Sequence, residues 1–155
     1  MNIENLKWKL YSDIGSTARI YKAQNRFNFY IKKAYRREIS DTYFNLECRA
    51  IQMLQNKKHF TQFVQIDKTK RIIYMDYLGK TLCKQNCPQN WKEQVEEILE
   101  ILKELDLYIS DFQRNNICIS GNQINLIDFG IVQFNCFNYQ YLKSCLTFVF
   151  ETLED

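Results

Sequence analysis

Between Trp91 and Leu105 the apolar residues Trp91, Val95, Ile98, Leu99, Leu102 and Leu105 recur at helical spacing, with Glu and Lys on the other face. Such a stripe must be buried against another element, so it commits the middle of the chain to a packed helix. Asn90 at the N-cap and Glu93 three residues on predict a capping box. The first third has a different period. Leu6, Trp8 and Leu10 alternate with polar residues, as do Phe27, Phe29 and Ile31 on a strand expected over 27–32, and residues 19–23 form a further candidate strand. Gln24-Asn25-Arg26 suits the turn between the last two. A helix is expected over 41–56, carried by Phe44, Cys48, Ile51, Met53 and Leu54. Strands over 62–66 and 71–77 follow, joined by Lys68-Thr69-Lys70. Ile117–Ile119 and Ile124–Leu126 flank Ser120-Gly121-Asn122 as a hairpin, and a last helix is expected over 139–153. Strands, helix, strands, long helix, hairpin and helix together predict an α+β chain of 155 residues with two small parts, about 1–78 and 79–155.

Composition narrows the function classes. Apolar residues make up 46% and charged residues 25%, ordinary for a globular protein, and the net charge of +3 does not by itself argue for nucleic acid or a membrane surface. No apolar run approaches the ~20 residues that span a bilayer. The six cysteines are read as reduced, half-buried thiols. Cys83 and Cys87 have no second pair at zinc-ligand spacing, and the single histidine, His59, cannot build a His-based metal site alone. With no leader at the start, a cytoplasmic location is expected, in a host cell if the Asn-, Lys-, Ile- and Tyr-rich composition reflects a viral genome.

The chemistry concentrates in Leu107–Gly130. Asp111 lies five residues before Asn116, and Asp128 follows a strand-turn-strand as part of Asp128-Phe129-Gly130. Here the sequence resembles the protein-kinase superfamily, whose catalytic loop ends in Asp-x4-Asn and whose metal loop is Asp-Phe-Gly. The resemblance implies a minimal bilobal fold with ATP and Mg2+ as cofactors. Asn116 and Asp128 would be the metal ligands, since hard cations take carboxylate and amide oxygens. Asp111 would orient the acceptor hydroxyl and take its proton.

Other parts of that pattern occur in family order. Residues 13–23 resemble a weakened glycine-rich loop in which Asp13, Gly15 and Ala18 stand at the three glycine positions. Gly15, Ser16, Thr17 and Ala18 are the implied phosphate contacts, because small residues let backbone N–H groups approach. Lys32, ending Phe29-Tyr30-Ile31-Lys32, resembles the strand lysine that bridges the phosphates, with Glu47 as its implied helix partner and Glu38 as the alternative. Met75 would be the gatekeeper, and the backbones of Asp76 and Leu78 would hold the adenine edge. The small KEOPS-complex kinase and the RIO group bend the same pattern. A basic nucleic-acid patch around Lys32, Lys33, Arg36 and Arg37 is the other reading of that stretch.

The departures shape the functional alternatives. Ile109-Ser110 replace the His-Arg before the catalytic aspartate, and Gln113 replaces the lysine two residues after it, with Arg114 beside it. Twenty-five residues follow Gly130 and no Ala-Pro-Glu appears, so the resemblance implies a reduced, mainly helical second lobe. Three functions remain open: a minimal Ser/Thr protein kinase, a small-molecule phosphotransferase, and a kinase mimic that binds or inhibits a partner kinase.

Overall fold

The computed structural model describes residues 2–153. The chain is α+β, with a five-stranded antiparallel sheet and, among the described residues, three α-helices. It divides into two compact units, Met1–Gln55 with Thr61–Tyr77, and Asn56–Phe60 with Leu78–Asp155.

The first unit is built on strands β1 (Lys9–Ser12), β2 (Ala18–Gln24), β3 (Phe29–Tyr35), β4 (Phe63–Asp67) and β5 (Ile72–Asp76), in the order β1-β2-β3-β5-β4. The β2–β3 turn is set by Asn25, whose Oδ1 accepts from the N–H groups of Phe27 (2.8 Å) and Asn28 (2.6 Å). The turn therefore spans 25–28, and Phe27 lies in it and is exposed rather than on the strand. Leu10 is likewise exposed, while Ile3, Tyr30 and Tyr74 form a cluster completed by Leu6, Trp8 and Ile72. This cluster covers one face of the sheet.

Helix α1 (Asp41–Met53) is associated with the other face. Ser40 caps it, its Oγ accepting from Thr42 N–H at 3.2 Å. Its buried side chains are Phe44, Glu47, Cys48, Ala50 and Ile51, the i, i+3, i+4 pattern of a single face. Tyr35 meets Phe44 edge-on, with centroids 5.3 Å apart. Burial pushes the Cys48 thiol up to about 11, aided by neighbouring Glu47, so this cysteine packs as a neutral group.

The second unit holds β6 (Lys80–Thr81), α2 (Trp91–Glu104), β7 (Leu107–Ile109), β8 (Ile117–Ser120), β9 (Gln123–Leu126), β10 (Val132–Phe134) and α3 (Tyr139–Glu151). Its sheets run β6-β8-β9 and β10-β7. The short strands β6, β7 and β10 have no sequence signal, since two or three residues cannot display a period. Helix α2 buries Val95, Ile98, Leu99 and Leu102 as its stripe predicts, and Trp91 stacks on Phe150 of α3 at 5.0 Å. The predicted capping box does not form. Asn90 makes no cap hydrogen bond, and its Oδ1 accepts instead from Gln94 Nε2 (2.9 Å) and Asn122 Nδ2 (3.2 Å).

Gln94 explains the exchange. It is buried among the apolar stripe, where an unpaired amide would be costly. It donates to Asn122 O (2.7 Å) and accepts from Ile124 N–H (2.9 Å), which ties α2 to the β8–β9 hairpin. Gly121 opens that two-residue turn at φ +62, a conformation glycine takes without steric cost. The segment 56–60 docks alongside: Phe60 bridges Leu126 in parallel, and buried His59 turns its ring nitrogens toward Ile124 O (2.7 Å) and Glu97 Oε2 (2.9 Å).

No helix among the described residues is long and apolar enough to cross a membrane. All six cysteines are free.

Candidate phosphoryl-transfer residues in the two units

In the second unit β7 and β10 pair antiparallel, with Ile109 opposite Val132. Asp111 leaves the end of β7, and Asp128-Phe129-Gly130 leads into β10, so the ladder brings two stretches distant in sequence to one edge. Ile109 and Ser110, the residues in place of His-Arg, serve this ladder. Ile109 is buried, and Ser110 donates to Ile131 O through its N–H (3.4 Å) and its hydroxyl (3.3 Å).

Asn116 closes a short 3-10 turn, Arg114–Asn116, directly before β8. Its amide nitrogen donates to Asp111 Oδ2 at 3.0 Å and to Asp111 O at 3.1 Å. Its own carbonyl accepts from Ile127 N–H at 2.9 Å. One residue thus fixes the Asp111 loop and is bonded to the neighbour of Asp128. Asp128 sits at φ +72, a region non-glycine residues seldom enter, and its Oδ1 accepts from Gly130 N–H at 3.2 Å. Phe129 anchors the triplet, buried against Phe60 with centroids 6.2 Å apart.

Among the described residues no three His, Cys, Asp or Glu side chains cluster as a metal centre. The donor set that the resemblance implies, Asn116 amide and Asp128 carboxylate, would be all oxygen. It fits magnesium, which keeps several waters and binds one or two protein oxygens together with phosphate. Gln113, at the position of the lysine in the pattern the sequence resembles, donates to Asp111 Oδ1. Arg114 is exposed beside it.

In the first unit the strand lysine that meets Glu47 is Lys33 rather than Lys32. Lys33 is buried, and its Nζ lies 2.9 Å from Glu47 Oε1 and 2.8 Å from Oε2. The Tyr35 hydroxyl donates to the same carboxylate. Lys32 points to the opposite face, over the rings of Tyr21 (4.2 Å) and Trp8 (5.2 Å), where partial desolvation lowers its pKa. Side chains on a strand alternate, so a shift of one residue moves the lysine through the sheet. The signal was present: the face carrying Phe29 and Ile31 continues to Lys33. Glu47, expected as the partner of Lys32, is paired with Lys33 instead.

Gly15, Ser16 and Thr17 lie on the loop between β1 and β2, and Ala18 is the buried first residue of β2, paired with Tyr35. The loop does not demand its glycine, because a Cβ at Gly15 would meet only Ala18 O at 3.4 Å. Asp13, standing where the pattern has a glycine, binds both Arg36 and Arg19. Met75 is buried on β5 opposite Ile31, and Thr61 Oγ1 donates to its sulfur at 3.6 Å. The Asp76 N–H is engaged with Gln62 O at 3.1 Å. Leu78 begins the second unit, and Gly79 follows at φ +97, so close to β8 that a Cβ there would lie 2.0 Å from Ile119 O. The sequence matches no protein-family model and no curated protein.

Proposed function

We propose that the chain is a minimal kinase-like phosphotransferase of bilobal design that uses ATP and magnesium and takes Ser or Thr hydroxyls of a protein as acceptor. The observation that carries this reading is the bonding of Asn116, whose side chain holds the Asp111 carboxylate while its carbonyl takes the N–H of Ile127, next to Asp128. This is the relation a base and a metal loop need if they are to act on one phosphoryl group. The buried Lys33–Glu47 pair supports it from the first unit, because a lysine held by a carboxylate presents its remaining N–H groups as a fixed cation.

In this reading Lys33 binds the α- and β-phosphates, the residues around Gly15 cover them, and Asn116 and Asp128 hold the ion. Magnesium, when bound, offsets the charge of the phosphates during transfer. Asp111, held by Asn116, orients the acceptor hydroxyl and takes its proton. A second reading, the kinase mimic, is favoured by Gln113, which hydrogen-bonds Asp111 where the family places a cation.

The test is label transfer from γ-labelled ATP, with magnesium, to generic protein substrates and to the chain itself. Wild-type transfer that is lost in Asp111→Asn, with ATP binding retained, supports the phosphotransferase. ATP binding with no transfer in the wild type selects the mimic, and absence of binding removes both.

A further inference from the structure

The loop between β1 and β2 lacks two of the three glycines of its pattern, yet it is fastened from one point. Arg36, just past the end of β3, sends Nη2 to Asp13 O (2.9 Å) and to Gly15 O (3.2 Å), and Nε to Gly15 O (3.4 Å). Its Nη2 also meets the Asp13 carboxylate at 2.5 Å, and its main-chain N–H donates to Thr17 O at 2.9 Å. The carbonyls of residues 13, 15 and 17 therefore converge on one residue. Arg19 adds a bond from Nε to Asp13 Oδ1 at 3.2 Å. The Arg36 side chain is only 19% exposed, so this is a seated guanidinium rather than a solvated one. Desolvation raises the Asp13 carboxyl, and the bonds from Arg36 and Arg19 outweigh it and leave the group below its usual value.

We propose that Arg36 is the positioning residue for the phosphate loop: by gathering the carbonyls of Asp13, Gly15 and Thr17 it holds the loop in the conformation that admits the nucleotide's phosphates. The proposal rests on the phosphotransferase reading. The physical reason is twofold. Carbonyl oxygens repel phosphate oxygens, and a guanidinium that collects those of Asp13 and Gly15, beside the main-chain N–H that takes that of Thr17, removes that repulsion from the phosphate side. A loop with few glycines also has fewer conformations to search, and a fork with several fixed donors selects one of them. Asp13, which makes the motif look degenerate, is then the anchor of the clamp.

The experiment compares wild type, Arg36→Met and Arg36→Lys, all as full chains. Amide hydrogen exchange of the free proteins is read at residues 13–18 and at α1 as control. Affinities are measured for magnesium-ATP and for adenosine. The expected result is exchange faster by about tenfold in the loop alone, in both variants, because lysine keeps the charge but not the fork. ATP affinity falls by about tenfold while adenosine affinity stays within about twofold. Unchanged loop exchange overturns the clamp, whatever the protein binds. Faster exchange with ATP and adenosine weakened equally, or with neither weakened, overturns the positioning role. A wild type that binds no ATP removes the phosphotransferase reading itself, and with it that role, while the exchange data still decide on the clamp.

Discussion

Lys33 and Glu47 form an ion pair with side chains 4% and 1% exposed and Nζ 2.8 Å from Oε2, on the face of β3 opposite Lys32. A pair so far from water is held by its partners alone, since neither charge can be solvated separately.

The two adjacent lysines should therefore behave differently. Lys33→Met leaves a buried carboxylate with Tyr35 as its remaining donor from β3 and is expected to cost about 3–5 kcal/mol, together with loss of ATP binding. Lys32→Met removes contacts with Tyr21 and Trp8 and should cost about 1 kcal/mol or less. Urea unfolding of both variants decides the assignment. Equal costs would mean that the strand does not present Lys33 alone to α1.

Magnesium dependence should trace to two oxygens. Saturating magnesium-ATP is expected to raise the melting temperature of the wild type by roughly 5–10 °C, the consequence of binding at about 100 times Kd. Asp128→Asn and Asn116→Ala should abolish the metal-dependent part of that shift. Scanning fluorimetry with and without magnesium measures it. A shift that persists in Asp128→Asn would place the metal elsewhere.

Gly79 is a stability position. An alanine there must adopt φ +97 and brings its Cβ to 2.0 Å from the Ile119 carbonyl. The backbone strain alone is about 1–3 kcal/mol, and β6 must then move away from β8. Gly121→Ala, also at positive φ but with nothing within 4 Å, should cost only the strain, so its denaturation midpoint should lie between those of Gly79→Ala and wild type.

Acid sensitivity should be visible at Glu97. Hydrogen bonds from His59 and then Lys58 hold its carboxyl below the ordinary value of 4.5. A carboxyl depressed by folding stabilises the folded state above its unfolded value, and that stabilisation is lost as pH falls through the folded value. Glu97→Gln should thus be less stable than wild type near pH 7, with the gap closing toward about pH 3. Denaturation midpoints at the two pH values test it. A gap that is independent of pH would assign the effect to packing.

The local periods carried much of the architecture. The α2 stripe, the α1 face, the β8–β9 hairpin and the Phe29–Ile31 part of the β3 alternation depend on neighbours two to four residues apart, and those distances are written in the chain. So are the order and spacing of Asp111, Asn116 and Asp128. Strands β6, β7 and β10 were not legible, because each exists only through pairing with a segment far away in sequence. The capping box failed for a related reason: the Asn90 side chain is taken by Gln94 and Asn122, and the Asn122 contact depends on how the hairpin docks.

The choice between Lys32 and Lys33 is the sharpest case. Two identical side chains stand side by side, and composition cannot tell them apart. Which one is buried depends on which face of β3 meets Glu47, a helix away in sequence, and only the packed sheet and helix decide that. In the same way the sequence determined that an aspartate occupies the first glycine position, while the tertiary structure decided what it does there. Arg36 lies 23 residues beyond Asp13, and only the pairing of β2 with β3 brings its guanidinium back to the loop.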